Sequence, residues 1–156
     1  MERSIVCGVD GSAESRAGLR LAAHLSSRLG LQLVVAHVSQ ATALPPPLGA
    51  MPIVEPTRQP DSRAAQELLE EITREEDVAD APQRVLHGLP AERLAELADD
   101  ERAAFIVVGS RGRSGFRAAL LGSVSKDLLA IARCPVLVVP PGATAQPYED
   151  ELATSA

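Results

Sequence analysis

The segment IVVGSRGRSGFRAALLGSVSKDLLAIARCPVLVV, Ile106 to Val139, decides the fold that the sequence predicts. It begins with an apolar run, continues into a glycine-rich basic loop and a helical stripe, and ends with a second apolar run. Short apolar runs without polar alternation are typical of strands that are covered on both faces of a parallel sheet. A strand, a crossover helix and a second strand of this kind form one α/β unit.

The same alternation of strand and helix extends back to the start of the chain. Ser12 and Gly30 have the residue types that begin and end the first helix. The order β-α-β-α-β-α-β-α-β predicts a single domain with a parallel sheet and right-handed crossovers. The predicted strands are Ser4–Asp10, Leu31–Val38, Gln83–His87, Ala104–Gly109 and Pro135–Val139, and two of the intervening helices are Asp61–Glu76 and Pro90–Asp99.

Composition narrows the class of protein. The chain has 156 residues, 46% of them hydrophobic and 2% aromatic, with a formal net charge of -6. An acidic chain with so few aromatic residues is unlike a nucleic-acid-binding surface. No apolar run reaches the ~18 residues of a membrane span, and no signal peptide is recognisable, so we expect a cytoplasmic protein. Cys7 and Cys134 lie in or beside apolar runs, which favours reduced core thiols over a disulfide.

The loop after the fourth strand has the composition of an anion site. Glycines at 109, 112 and 122 allow backbone to approach a ligand closely, and Ser123 and Ser125 open the following helix. The first amides of a helix are free donors at the positive end of its dipole, and phosphate is their usual ligand. The basic residues of the loop are Arg111, Arg113 and Arg117. A small polyanion is therefore the predicted ligand.

Two common phosphate loops do not match this segment. A Walker A loop needs a lysine after its last glycine, whereas the only lysine of the chain is Lys126, inside the predicted helix. The dinucleotide pattern G-x-G-x-x-G is absent as well.

A different spacing identifies a family. G-x-x-G, nine residues and then G-S, at Gly109, Gly112, Gly122 and Ser123, resembles the ATP-binding signature of universal stress proteins. The segments VCGVDGSAES, VVAHV and ARCPVLVVP are similar to the first, second and last strands of that family. The resemblance covers about Arg3 to Pro141, and we predict one domain over 1–141 followed by a disordered acidic tail over 142–156.

The resemblance implies an open five-stranded parallel α/β sheet of order 3-2-1-4-5 with helices on both faces. This is a Rossmann-like fold similar to that of the adenine nucleotide alpha hydrolases. Strands one and four are then neighbours where the order reverses, which is where such sheets bind ligands. Asp10 and Gly109, at the ends of those strands, would both lie at that crevice.

The family also implies the role of each site residue. Asp10 would bind the ribose hydroxyls, and Arg111 would reach either phosphate or solvent. Mg²⁺ would be recruited through the phosphates of ATP, without a metal site of the protein itself. The other implied contacts are Gly8, Val9, Val38 and Val108 beside adenine, Gly109 and Gly112 under the ribose and α-phosphate, and Gly122, Ser123, Val124 and Ser125 at the outer phosphates.

Several of these residues have a plain structural interpretation too. Asp10 with Gly11 is a common turn pair, and Ser123 has the residue type of a helix N-cap. Val38 and Val108 are core residues under either interpretation. Arg113 and Arg117 are more typical of solvated charges, and His24, His37 and His87 have no metal-ligand spacing, so His37 is interpreted as structural.

The function expected from the resemblance is a nucleotide-responsive regulatory module of the stress response, with an unknown regulatory protein partner. A slow ATP hydrolase is the first alternative. The loop supplies arginines, but there is no Walker B pattern and no lysine near it, and Asp10 is the one obvious carboxylate, so dedicated hydrolysis is not indicated. An interaction protein with a non-functional pocket is the second. Related adenylate-forming enzymes carry S-G-G-x-D after strand one, where this chain has VDGSAES.

Two further segments carry expectations. Pro135–Val139 is wholly apolar and would form an edge strand, so we predict a homodimer through this edge, as in the family. The proline-rich segment Gln40–Pro60 leaves strand two at the ligand end of the sheet. It is either a cover for the adenine or a surface excursion.

Overall fold

A computed structural model describes residues 3–40, 62–110, 121–140 and 142–143 of the chain. The predicted strands and helices are present, with ends that shift by one or two residues. They are β1 (Ser4–Gly8), α1 (Ala13–Leu29), β2 (Gln32–Ser39), α2 (Ser62–Glu75), β3 (Gln83–His87), α3 (Pro90–Asp100), β4 (Phe105–Gly109), α4 (Ser123–Ile131) and β5 (Val136–Val139).

The five strands form one parallel sheet in the order β3-β2-β1-β4-β5, which confirms the predicted topology. β1 is central, and its Val6 pairs in register with Val34 of β2 and Ile106 of β4. The order reverses between β1 and β4, because the chain first builds outward to β3 and then returns to the other side of β1.

Both faces of the sheet are buried, which explains the continuous apolar runs. Successive side chains of a strand point to opposite faces. Ile5 and Cys7 of β1 therefore belong to a core that also includes residues of α1 and α2, such as Leu19 and Leu69. Val6, between them, belongs to a second core that includes residues of α3 and α4. All three β1 side chains have no exposed surface.

Helix α1 has both of its predicted caps. The Ser12 hydroxyl accepts a hydrogen bond from the Ser15 amide at 3.2 Å. Gly30 ends the helix in the left-handed conformation, with φ 64°. A glycine is favoured there because a Cβ atom is strained at positive φ.

The ends of two strands differ from the prediction for identifiable reasons. Pro135 lacks an N–H group and only accepts, through its carbonyl, a hydrogen bond from the Ile106 amide at 2.9 Å, so β5 starts at Val136. β1 ends at Gly8 because Asp10 turns out of the sheet, although Val9 still donates to the Ala36 carbonyl at 2.8 Å.

The two cysteines are free thiols, as predicted. Complete burial raises the pKa of the Cys7 thiol to about 12. The pKa of the Cys134 thiol is also raised above its usual value of 9.0. The larger cause is partial burial, and the smaller cause is the negative charge of Asp99. Within the part of the chain that the structure describes, no helix has both the length and the apolarity that a membrane crossing needs.

Some expectations concern residues that the structure does not describe. The interior of the proline-rich segment, 41–60, and most of the acidic tail, 144–156, lie outside the described residues. The division into a domain over 1–141 and a tail over 142–156 stays a prediction.

Candidate functional site

A cavity of about 540 Å³ opens at the carboxyl edge of the sheet, where the strand order reverses between β1 and β4. Open parallel sheets bind ligands at this kind of position. Its volume lies within the ~300–1,000 Å³ range typical of small-molecule sites. The described residues that line it are Gly8, Val9, Asp10, Ser15, Ala36, His37, Val38, Ser39, Gln40, Pro90, Leu94, Val108, Gly109, Gly122, Ser123, Val124 and Ser125.

The structure thus brings the predicted site residues to one cavity, apart from Arg111 and Gly112. Those two lie outside the described residues, as do Arg113 and Arg117. Seven lining residues were not predicted: Ser15, Ala36, His37, Ser39, Gln40, Pro90 and Leu94. Pro90 could have been found, because every helix of a parallel α/β sheet begins at the edge where the strands end.

Asp10 makes the turn and also lines the cavity, so its role in the turn does not prevent a contact with a ligand. Its Oδ1 accepts a hydrogen bond from the Ser12 amide at 2.9 Å, and Gly11 between them has φ 84°. The Ser15 hydroxyl accepts from the Asp10 amide at 3.3 Å and donates to the Ser12 carbonyl at 3.0 Å. The bond from the Ser12 amide engages Oδ1 and orients the carboxylate, and Oδ2 has no hydrogen-bond partner among the described residues.

Gly109 is a glycine because α1 begins directly against it. A Cβ atom at this position would lie 2.8 Å from the Glu14 carbonyl carbon and 2.9 Å from the Ser15 amide nitrogen. Such distances are not tolerated without a backbone shift. Gly109 does not have a positive φ. Glycine is therefore needed at 109 because helix α1 approaches the strand closely, and not because of an unusual backbone conformation.

The N-terminus of α4 forms another wall of the cavity. Its N-cap is Gly122, with φ -61° and ψ 161°, and no side chain caps it. Ser123 is thus the first helical residue, and its interpretation as the N-cap is wrong. The amides of Ser123, Val124 and Ser125 precede the first intrahelical bond, from the Lys126 amide to the Gly122 carbonyl at 3.1 Å. Three donors of one helix end therefore lie at the cavity.

Charge makes this helix end more suitable for an anion than that of α1. The first turn of α4 has no acidic residue, so the positive end of its dipole is not neutralised locally. The first turn of α1 contains Glu14, and its Ser15 amide is already bonded to Ser12. Of these two helix ends, that of α4 has the free amides and no acidic residue in its first turn.

The start of α4 is held in place by hydrogen bonds to the end of β4. The Ser125 hydroxyl donates to the Gly109 carbonyl at 3.0 Å, and the Gly122 amide donates to the Ser110 carbonyl at 2.7 Å. Ser125 is buried, and its hydroxyl proton is directed at the strand. Its backbone amide, rather than its hydroxyl, is the donor that remains for a ligand.

The opposite wall, at the end of β2, is mostly apolar. Val38 is half-buried and Val108 is buried, which agrees with their core interpretation. A Cβ atom at Gly8 would lie 2.8 Å from Leu94 Cδ1, so this glycine leaves room for the leucine. Polar residues at this end are His37, Ser39 and Gln40. Nδ1 of His37 lies 2.8 Å from the Val9 carbonyl oxygen.

These features define the class of protein, a doubly wound α/β fold with a cavity where the strand order reverses. One end of the cavity is mostly apolar, and free helix amides lie at the other end. The family follows from comparison. The model of the universal stress protein family matches residues 1–140, and the chain belongs to this family.

Similar proteins agree with this assignment. A universal stress protein of Mycolicibacterium smegmatis is 37% identical over 142 residues, which are 88% of this chain and 45% of that protein. The chain thus spans less than half the length of that relative. Among solved structures, a universal stress protein in complex with cAMP has a TM-score of 0.65 at 24% identity and covers 90% of this chain and 98% of its own. One from Archaeoglobus fulgidus in complex with dAMP has a TM-score of 0.59 at 24% identity, covering 88% of this chain and 97% of its own.

Proposed function

We propose that this chain binds ATP in the cavity at the carboxyl edge of its sheet and acts as a nucleotide-responsive regulatory module of the stress response. One observation carries the proposal. The uncapped first turn of α4 and the carboxylate of Asp10 line the same cavity, beside an apolar wall. Donors for phosphate, an acceptor for hydroxyl groups and a surface for a flat base are the three parts that a nucleotide requires.

In this proposal the three parts of the cavity follow one another in the order phosphate, ribose and base. The phosphates lie at the amides of Ser123 to Ser125, on the β4 side. Asp10, at the end of β1, offers Oδ2 to the ribose hydroxyls. The base lies at the end of β2, beside Val38. Since neighbouring strands are ~4.8 Å apart, β2 and β4 are separated by roughly 10 Å, which suits the distance from a base to its phosphates.

The complexes with cAMP and dAMP belong to proteins of the same fold. At that identity the likeness concerns the fold alone, so the choice of an adenine nucleotide rests on the resemblance of the sequence signature. The three free amides of α4 suit the phosphate of any such nucleotide, and ATP in particular is proposed from the sequence signature.

A binding role is favoured over hydrolysis. Of the described residues that line the cavity, Asp10 alone carries a carboxylate, and no lysine lines it. Asp10 is assigned to the ribose, which leaves no described carboxylate to hold Mg²⁺ or to position a water molecule. Mg²⁺ is therefore proposed to enter with the phosphates.

The decisive experiment is a calorimetric titration of nucleotide-free protein with Mg-ATP. Saturable binding near one site per chain is expected. A Ser123→Glu variant places a negative charge at the helix N-terminus, which the dipole tolerates, and should weaken ATP binding by about tenfold or more through repulsion of the phosphates. The matched control is Ala130→Glu, at an exposed position in the last turn of the same helix.

Two outcomes would contradict the proposal in different ways. No heat and no competition at millimolar ATP would favour an interaction protein with a non-functional pocket. Release of inorganic phosphate that Ser123→Glu abolishes and Ala130→Glu retains would favour a slow hydrolase.

We also propose that the chain forms a homodimer through β5. This strand is at the edge of the sheet, and its Val136, Leu137 and Val138 retain exposed surface. An apolar edge with free backbone groups favours pairing with a second copy. The cytoplasmic location and a regulatory protein partner stay predictions from the sequence.

A further inference from the structure

The base end of the cavity is a slot between helix α3 and the sheet. α3 packs on the face of the sheet that carries Val6 of β1 and Val108 of β4. Pro90 and Leu94 line the cavity from the helix, and Val38 and Val108 line it from the strands. Leu94, Val38 and Val108 also belong to one hydrophobic cluster, so the helix and the strands meet on the same face.

Pro90 and Leu94 lie at successive depths of this slot. They are four residues apart, so they share a face of the helix and are separated by roughly 6 Å along its axis at ~1.5 Å per residue. Because α3 begins at the carboxyl edge of the sheet, Pro90 lies at the mouth of the slot and Leu94 lies deeper. Pro90 is half-buried, whereas Leu94 is 3% exposed. Ala98, one turn deeper again, does not line the cavity.

Leu94 closes the slot over Gly8. Measured from the point where a Cβ atom of Gly8 would lie, Leu94 Cδ1 is at 2.8 Å and Leu94 Cδ2 is at 3.3 Å. Val108 Cγ1 is also at 3.3 Å from that point. Side chains from the helix and from β4 therefore converge over the backbone of Gly8. All three residues line the cavity, and we call their contact the floor of the base end.

We propose that Leu94 limits the depth of the base end and thereby excludes purines that carry bulky groups on the ring. The proposal rests on the nucleotide-binding function proposed above. Leu94 supplies two of the three atoms nearest to the Gly8 point, so its length decides where the floor lies. The floor consists of methyl groups and backbone, and it therefore discriminates by size. Because protein interiors are close-packed, a group forced into the floor would overlap atoms that have little room to move.

The first test compares ATP with three derivatives that carry an added group at different positions of adenine. The derivatives are N6-benzyl-ATP, 2-methylthio-ATP and 8-bromo-ATP, which together cover both rings of the purine. At least one of them should bind the wild type about tenfold or more weakly than ATP, because its added group meets the floor. No residue is changed, so the result does not depend on whether a variant folds. Equal affinity for all four nucleotides would overturn the proposal.

The second test opens the floor. Leu94→Ala removes both methyl groups that lie over Gly8. A derivative that the wild type excludes should then gain about tenfold in affinity relative to ATP in the same protein. Leu94→Val removes one methylene group and disturbs the packing less, so it should change this ratio in the same direction by a smaller factor. It keeps the test decisive if Leu94→Ala does not fold.

Leu97→Ala is the matched control. Leu97 is 8% exposed, lies in the same helix and belongs to the same hydrophobic cluster as Leu94, but it does not line the cavity. The control variant loses core packing of the same kind, so its stability should fall as well. Its ratio of derivative to ATP affinity should stay at the wild-type value.

The outcomes separate this proposal from the proposed function. An unchanged ratio in the Leu94 variants, or an equal change in Leu97→Ala, would overturn the role of Leu94 and leave nucleotide binding intact. Absence of binding of ATP and of all three derivatives to the wild type would overturn the proposed function, and the role of Leu94 with it.

Discussion

Gly109 and Ser15 are in backbone contact: a Cβ atom on Gly109 would lie 2.9 Å from the Ser15 amide nitrogen. This contact places the first turn of α1 against the end of β4, across the point where the strand order reverses. Ser15 in turn accepts a hydrogen bond from the Asp10 amide. Gly109, the first glycine of the family signature, therefore helps to position Asp10 beyond the end of β1, in addition to any contact with a ligand.

Replacement of Gly109 by alanine should destabilise the protein and weaken ATP binding together. The added methyl group would overlap the backbone of Glu14 and Ser15, at 2.8 and 2.9 Å, and backbone has to move to relieve it. We expect a loss of about 1–3 kcal/mol in the free energy of unfolding. Urea unfolding and calorimetry measure the two effects.

Gly18→Ala is the matched control for that variant. A Cβ atom at Gly18 would have its nearest neighbour, Val107 Cγ1, at 3.6 Å, which is ordinary contact. Because alanine is a better helix former than glycine, this variant should gain about 0.5–1 kcal/mol. Similar destabilisation of both variants would show that the Gly109 contact is not specific.

Asp10→Asn should weaken binding of ribonucleotides and leave the fold intact. Asparagine keeps an oxygen at the Oδ1 position to accept from the Ser12 amide, so the turn persists. The charged acceptor for the ribose hydroxyls is lost, and ATP affinity should fall about tenfold. Binding of 2′,3′-dideoxy-ATP, measured by the same titration, should change much less.

Glu14→Gln is the control for this variant. It removes a charge near Asp10, but Glu14 does not line the cavity. It should leave the affinity for ATP near that of the wild type. An equal loss in both variants would indicate a general effect of charge rather than a ribose contact.

Cys7 should make stability depend on pH in the alkaline range. Burial raises the pKa of the folded thiol from 9.0 to about 12, so between these values the unfolded chain loses a proton that the folded chain keeps. The free energy of unfolding therefore falls as pH rises above 9.0, by roughly 1 kcal/mol per pH unit from this group. Below 9.0 the contribution of Cys7 is constant.

Urea unfolding of the wild type and Cys7→Ala at pH 8, 9 and 10 tests this dependence. The variant is expected to be less stable at pH 8, because it leaves a small cavity, and to show a flatter decline above pH 9. Parallel curves for the two proteins would contradict the assignment of the decline to Cys7.

Leu137→Arg should convert the proposed homodimer into a monomer. Leu137 is 36% exposed on the edge strand β5, and an arginine there would bring like charges together across a two-fold axis. Light scattering coupled to sizing at micromolar concentration measures the mass. Leu29→Arg, at a 55% exposed leucine at the end of α1, is the control and should remain a dimer. A monomeric wild type would refute the interface.

The sequence was sufficient for the fold, because strand and helix alternate clearly and both faces of the sheet are buried. Apolar runs such as those around Val6 and Ile106 have few other solutions, and the resemblance supplied the strand order. The ends of β1 and β5 were less predictable. They depend on where a turn or a proline interrupts the ladder, as at Asp10 and Pro135.

The candidate site was predictable where a residue type has a strong local meaning, as for Asp10 and the glycines. Ser15 and His37 were not predicted to line the cavity, because their roles depend on contacts across the fold. Ser15 is buried and meets Gly109 of a strand that is distant in sequence, and His37 bonds to Val9, the residue that follows β1. The reason for glycine at 109 was likewise visible only once α1 was packed against β4.

The hydrogen bonds that join the end of β4 to the start of α4 also fasten together the two ends of the segment 111–120. The Gly122 amide bonds to the Ser110 carbonyl at 2.7 Å, and the Ser125 hydroxyl bonds to the Gly109 carbonyl at 3.0 Å. The strand end and the helix end are therefore coupled directly, so a shift of β4 at Ser110 would be transmitted to the amides of α4.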